Sequence, residues 1–299
     1  MCALKTNQAA VICFGEVLWD VLPDGPKPGG APLNVAYHLN KLGVAAGIIS
    51  RIGNDENGKW LQELMEEWNV DHRFLQIDQK YPTSEVLASL NNGNEVCYEI
   101  GFPVAWDFIE AGQAAMEQVK GAEYFIYGSL SSRNVTTQQA LHQFLELDVI
   151  KVLDINLRYP FVKRSVLQDL MEKANIIKLN EAELDVVQTL FGGHYGPERD
   201  KVNFIQDRFA VDEVLITKGE SGAAYYKGTE RFYHFGTDVK VEDTIGSGDA
   251  FLAAFIAGHK QKQHHEEILK NAITMGAFIA TQKGACPNYE LNQYLHFNA

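Results

Sequence analysis

Residues 243–251 read DTIGSGDAF, and the chain continues to Gly258 in small and apolar residues without a charge. Gly246 and Gly248 permit a sharp turn and the close approach of a ligand. The apolar run predicts a buried helix whose first turn has unpaired N–H groups and the positive end of the dipole. Together these make an anion site. Asp249 falls in that first turn, and two readings follow. As a structural element, Asp249 complements the dipole and Thr244 caps a turn. As a reagent, Asp249 takes a proton from an attacking hydroxyl while the amides of Gly246, Ser247 and Gly248 hold a phosphoryl group in transfer. The segment alone supports both, so the choice rests on partners elsewhere.

Those partners exist in the sequence. Asp20 follows the first apolar run, and Gly29-Gly30 precedes a helical pattern carrying Asn34. An Asp, an Asn and close-approaching glycine backbone suit a polyhydroxyl ligand, although Asp20 alone reads equally as a turn residue. DINLR sets Asp154, Asn156 and Arg158 at a strand's end, where open α/β sheets bind ligands. A lone Arg there serves as well for an ion pair. KLNEAEL sets Asn180 and Glu183 three apart at a strand-to-helix junction. That pair could order Mg²⁺-bound water, or simply form an N-cap and capping box.

Other patterns fail on inspection. Gly53 to Trp60, GNDENGKW, matches GxxxxGK but has Trp60 where a P-loop needs Ser or Thr, and Asp55 and Glu56 stand where phosphates would lie. No GxGxxG is present, which argues against a nucleotide-dependent dehydrogenase, and no complete GxSxG occurs. His259, His264 and His265 are close in sequence, but an adjacent pair points in different directions on a helix, so a solvated helix end is expected rather than a metal site.

The elements that must position these residues alternate. AVICFGEV, VAAGIISRIG, AEYFIYGSL, KVLDINLR, NIIKLN and EVLITKG read as strands; LNVAYHLNKLG, KWLQELMEEW, QALHQFLEL, VLQDLMEKA, EAELDVVQTLF, the run after Gly248 and ILKNAITMGAFIATQ read as helices. This predicts βαβ units and a mostly parallel sheet covered on both faces. Two stretches break the rhythm: the Pro/Gly-rich residues 17–32, and residues 84–106, which alternate apolar and polar around Asn92-Gly93. The second reads as a β-hairpin, and both are expected to stand off as a small lid on one domain spanning 1–299. The 299 residues are 46% hydrophobic, with 26 Lys+Arg against 39 Asp+Glu for a net charge of -13. That balance opposes nucleic-acid or anionic-membrane partners. The four cysteines are scattered without a CxxC pair, and MCALKTNQAA has no apolar core of a signal peptide, so a reducing cytoplasm is expected.

With these residues assembled, the chain resembles the ribokinase-like (phosphofructokinase-B) carbohydrate kinases nearly end to end. GGAPLNVAYHLNKLG (29–43) with RIGNDENG (51–58) matches the early signature, DTIGSGDAF the late one, and DINLR, KLNEAE and ITKGESGA (216–223) the internal blocks in order. FGEVLWDVLPDG with GGAPLN is similar to fructokinases in particular. The resemblance implies a three-layer α/β/α fold with a β-lid, and an ATP- and Mg²⁺-dependent kinase acting on a primary hydroxyl, with D-fructose as the expected sugar. Other acceptors of the same class are 2-keto-3-deoxygluconate, ribose and a nucleoside; a catalytically silent sugar-binding protein on this fold is a rival of another class. The resemblance implies Asp249 as base, Gly246, Ser247 and Gly248 as anion hole, and Asp20, Gly30 and Asn34 as sugar contacts. It places Arg158 near the transferred phosphate, and Asn180 and Glu183 in the motif linked to Mg²⁺ and phosphate. Thr217, Gly219, Asn271 and Gly276 would line the nucleotide site. Asp243, Ile245 and residues 280–285 would form a loop for an activating K⁺. Ser247 stands where the family often has Ala, and a small residue still fits that turn. From the lid, Phe102 and Trp106 are expected as an apolar wall beside the sugar, against the alternative of packing within the lid, and the lid edges suggest a homodimer.

Overall fold

The computed structural model describes residues 9–22, 25–90 and 96–297. The first strand, β1 (Val11–Phe14), is buried along its whole length, as parallel strands covered on both faces are. Then come β2 (Leu18–Leu22), β3 (Gly25–Gly29), α1 (Ala31–Lys41), β4 (Ala46–Gly53), α2 (Glu56–Glu67), β5 (Asp71–Asp78), β6 (Ser84–Leu90) and β7 (Val96–Ile100). The middle of the chain forms α3 (Gln113–Lys120), β8 (Tyr124–Gly128), α4 (Val135–Leu145), β9 (Ile150–Asp154), α5 (Arg164–Glu172), β10 (Ile176–Asn180), α6 (Glu181–Phe191) and α7 (Glu198–Phe209). It closes with β11 (Glu213–Thr217), β12 (Ala223–Lys227), β13 (Glu230–His234), α8 (Ser247–Lys260), α9 (His265–Ala280) and α10 (Leu291–Phe297).

Nine strands form the central sheet in the order β13-β12-β11-β10-β9-β8-β1-β4-β5. From β11 to β5 all pairings are parallel; β12 and β13 add an antiparallel margin. Alternation along each strand separates two cores. Val11 and Cys13 face α1, α2, α8, α9 and α10 on one side, while Ile12 and Phe14 face α3 to α7 on the other. Strand order reverses at β1, which has β4 on one side and β8 on the other. Such a switch point leaves a crevice at the strands' carboxyl ends.

A second sheet, β3-β2-β6-β7, stands apart from this one. Its pairs are antiparallel except β2 with β6. It confirms strands within both irregular stretches; the Asn92-Gly93 turn lies outside the described residues. The stretch 84–106 is shorter as a hairpin than its pattern implied. After Ile100 the chain turns into a short 3₁₀ segment, Ala105–Phe108, that belongs to the core.

Candidate active site

The glycine turn predicted at Gly246–Gly248 forms at the start of α8. Gly246 is the N-cap of α8, at φ 75°, and no side chain caps the helix. A Cβ on Gly246 would lie 2.5 Å from the Cβ of Ala285, so both the left-handed backbone and the contact require glycine. The Ser247 amide donates to the Thr244 carbonyl at 3.3 Å, and Gly246 and Gly248 border an adjoining cavity. That cavity, ≈ 480 Å³, collects Asp20, Gly30, Asn34, Asp154, Asn156, Arg158, Asn180, Glu183, Ile245, Gly246, Gly248 and Asp249 from five separate parts of the chain. It opens beyond the carboxyl ends of β9, β10 and β11. Gly30, at φ 105°, lets α1 start against the backbone of Glu16: a Cβ there would meet the Glu16 carbonyl oxygen at 2.4 Å.

Asp249 sits at the third position of α8 and accepts a hydrogen bond from Asn34 Nδ2 at 2.8 Å. Burial first, and then repulsion from Asp154, push its carboxyl up to about 7, against the pull of Lys178, the Asn34 bond and Arg158. A carboxylate held there is half-protonated near neutrality, which is the range in which a general base works best. Asp20 is pushed up to about 6, chiefly by burial, with Arg158 opposing and Asp243 adding to the shift. Sequence reading did not single out Lys178. It is buried in the middle of β10, with Nζ 2.9 and 2.7 Å from the two Asp154 oxygens and 3.5 Å from where a Cβ on Gly248 would be. The charges of Asp154, Asp249 and Glu183 outweigh burial and hold its ammonium above the usual lysine range. Glu16, also passed over, lines the cavity and accepts from Ser131 Oγ at 2.9 Å.

Asn180 and Glu183 form a reciprocal capping box at the start of α6. Glu183 Oε2 accepts from the Asn180 amide at 2.9 Å and Oε1 from the Leu157 amide at 2.8 Å. Both oxygens are thus engaged by backbone, and among the described residues no group of three or more His, Cys, Asp or Glu side chains could hold a metal ion. The donor set fits Mg²⁺ held through water and phosphate oxygens rather than by a protein cage. Asp243 uses both carboxylate oxygens to tie loops, accepting from the Ile245 and Gly284 amides at 3.0 Å each.

A second cavity, ≈ 590 Å³, adjoins the first and shares Thr217, Thr244 and Gly248 with it. Gly219, Ser247, Phe251, Ile273, Gly276, Ala277 and Ala280 also line it. On α9 the lining positions 273, 276, 277 and 280 follow helical spacing. Asn271 falls off that face and does not line the cavity, contrary to expectation; its carbonyl accepts from Tyr294 Oη at 3.1 Å.

The expected apolar wall is also corrected. Trp106 is 0% exposed, packed in the core beneath the Arg133 guanidinium, whose carbon lies 3.8 Å from the ring centroid. Phe102 is 55% exposed and turns toward Phe161 and Arg133. Neither lines the cavity; Val86, Ile100 and Leu130 do. The P-loop lookalike is a capped helix start: Asp55 Oδ1 accepts from the Gly58 amide at 2.8 Å, filling the place of an anion with its own carboxylate. The helix junction near 260 is solvated at Gln261, Lys262 and His264, as expected, while His259 and His265 are half-buried. His259 meets Tyr124 Oη at 2.8 Å and Glu213 at 3.2 Å, and His265 packs on Phe232.

A model of the family described as "pfkB family carbohydrate kinase" matches residues 14–291. The chain belongs to this family. It is 29% identical to the probable fructokinase-6, chloroplastic, of Arabidopsis thaliana, across 96% of this chain and 81% of that protein. It is also 29% identical to fructokinase-1 of Oryza sativa subsp. japonica, across 93% and 94%. Its fold is similar to the fructokinase of Vibrio cholerae O395 crystallised with fructose, ADP and calcium ion, with a TM-score of 0.83, 24% identity and 98% and 99% coverage. This pfkB-family chain is a sugar phosphotransferase with the ribokinase-like α/β fold. None of its helices, among the described residues, is long and apolar enough to cross a membrane.

Proposed function

We propose that the protein transfers the γ-phosphoryl group of Mg-ATP to the C6 hydroxyl of D-fructose. The observation that carries this reading is the meeting of two cavities at Thr217, Thr244 and Gly248, with Asp249 beside the junction. Sugar would lie in the first cavity, against Asp20, Gly30 and Asn34, and nucleotide in the second, against Thr217, Gly219 and Gly276. Asp249 removes the hydroxyl proton as the sugar oxygen bonds to phosphorus and the bond to the ADP oxygen breaks. The amides of Gly246, Ser247 and Gly248, with Lys178 and Arg158, offset the charge on the phosphoryl oxygens. Bound Mg²⁺ neutralises phosphate charge; Asn180 and Glu183 would hold its waters.

Charge favours a neutral sugar over a sugar acid. Five carboxylates line the first cavity (Glu16, Asp20, Asp154, Glu183, Asp249) against two cations, Arg158 and Lys178. A substrate carboxylate would add to that excess. The relatives named fructokinase point the same way. An activating K⁺ near Asp243 and Ile245 would be held by main-chain carbonyls, since the Asp243 side chain is engaged. Pairing of lid sheets from two copies would bury Leu87, which is 46% exposed, and make a homodimer; we place the protein in the cytoplasm.

The test is ADP release with Mg-ATP and K⁺ over fructose, 2-keto-3-deoxygluconate, ribose, tagatose, glucose and adenosine. Fructose should give the highest kcat/KM. A higher value for another acceptor would move the substrate assignment and leave the transfer mechanism. No turnover on any of them would support a silent binding protein.

A further inference from the structure

The loop after α9 is fastened to α1 at several points. Tyr37 Oη donates to the Pro287 carbonyl, His38 Nε2 lies 2.9 Å from the Ala285 carbonyl oxygen, and Lys41 Nζ donates to the Tyr289 carbonyl at 3.0 Å. One further contact reaches the chemistry. Cys286 Sγ donates to Asn34 Oδ1 at 3.3 Å, and Asn34 Nδ2 donates to Asp249 Oδ2 at 2.8 Å. A carboxamide has one accepting and one donating end, and an ionised carboxylate only accepts. Turned by half a rotation, Asn34 would set its oxygen against the Asp249 carboxylate. The carboxylate itself disfavours that flip, and the thiol proton, donating to the oxygen end, adds to the preference. Burial keeps Cys286 protonated, well above the usual thiol range, so it remains a donor throughout the working range of the enzyme.

We propose that Cys286 is a positioning residue for phosphoryl transfer: its thiol holds the Asn34 amide in the orientation that donates to Asp249. The role rests on the assignment of Asp249 as the base. The other groups facing Asp249 are Asp154, Lys178 and Arg158 across the cavity and the buried, protonated Cys13 on β1. Cys286→Ala leaves all of them in place. It removes the donor to Asn34, and the ionised form of Asp249 loses part of its stabilisation.

The experiment is kcat/KM for fructose at saturating Mg-ATP between about pH 5.5 and 9, for the unmodified enzyme, Cys286→Ala and Cys286→Ser, with Asp249→Asn alongside. In Cys286→Ala the acid limb should move up by roughly 0.5–1 unit, making turnover about 3- to 10-fold lower near pH 6 and equal to the unmodified enzyme above about pH 8.5. Serine restores a donor, so Cys286→Ser should keep the original limb. An unmoved limb in Cys286→Ala, a loss of equal size at every pH, or a serine variant shifted as far as alanine would overturn the proposal. Asp249→Asn separates the two claims. If it keeps turnover, the base assignment fails; if it is inactive while the Cys286→Ala limb is unmoved, only the positioning role fails.

Discussion

Replacing Lys178 by methionine tests whether its charge acts in the transfer or only in the fold. Its ammonium touches both oxygens of Asp154, and the two side chains are only 8% and 6% exposed. Truncation leaves a buried carboxylate without its partner, a change that costs about 3–5 kcal/mol. Asp154 lines the cavity, so water reaches it from one side and the lower figure applies, corresponding to a melting point lower by about 6 °C. The catalytic loss is separate. Arg158 becomes the one cation among the cavity-lining residues, and removal of one preorganised group facing the developing charge lowers kcat about 10²- to 10³-fold. The assay pairs thermal melts with ADP release for Lys178→Met, Asp154→Leu and the double variant. The double variant should regain stability, because no unpaired charge remains, yet stay slow. Recovery of turnover together with stability would show that Lys178 serves only to neutralise Asp154. A Lys178→Met melt equal to that of the unmodified protein would refute the buried-pair reasoning itself.

Further outcomes follow from the same geometry. Because Asp249 and Asp20 are raised to about 7 and about 6 and both must be ionised to accept a proton or a hydroxyl, kcat/KM should fall below pH 7 and fall more steeply than a single ionisation below pH 6; a flat profile across that range would contradict it. Trp106→Phe should lower the melting point and leave the fructose KM within about two-fold, whereas Ile100→Ala should raise that KM several-fold, since only Ile100 lines the cavity. In Gly276→Val, where a Cβ already meets the Ser247 carbonyl oxygen at 3.1 Å, the KM for ATP should rise at least about ten-fold while fructose binding measured by calorimetry is kept.

The turn at Gly246–Asp249 was legible because its geometry, and the chemistry proposed for it, restrict residue types. A left-handed N-cap against Ala285 demands Gly246, and a base in the first turn demands a carboxylate. The two-sided strands were legible as apolar runs. What escaped lacks such a signature. β5 is a half-buried edge strand of mixed polarity, and α7 buries only Val202, Ile205 and Phe209 among charged neighbours. Counting helical positions from Gly276 shows that Asn271 falls on another face of α9. Trp106 was misplaced because a large aromatic beside a lid is equally at home in the core under it. Lys178 was detectable: a lysine inside the otherwise apolar run IIKLN has to be solvated or paired, and here Asp154 at the end of the neighbouring strand pairs it.

The central claim is that Asp249 is the proton acceptor in a phosphoryl transfer to sugar. Steady-state turnover of Asp249→Asn with fructose and Mg-ATP, measured beside calorimetric binding of each ligand, addresses it directly. The account predicts a fall in kcat of about 10³-fold with both dissociation constants within about three-fold of the unmodified enzyme. Turnover within about ten-fold of the unmodified enzyme would contradict it.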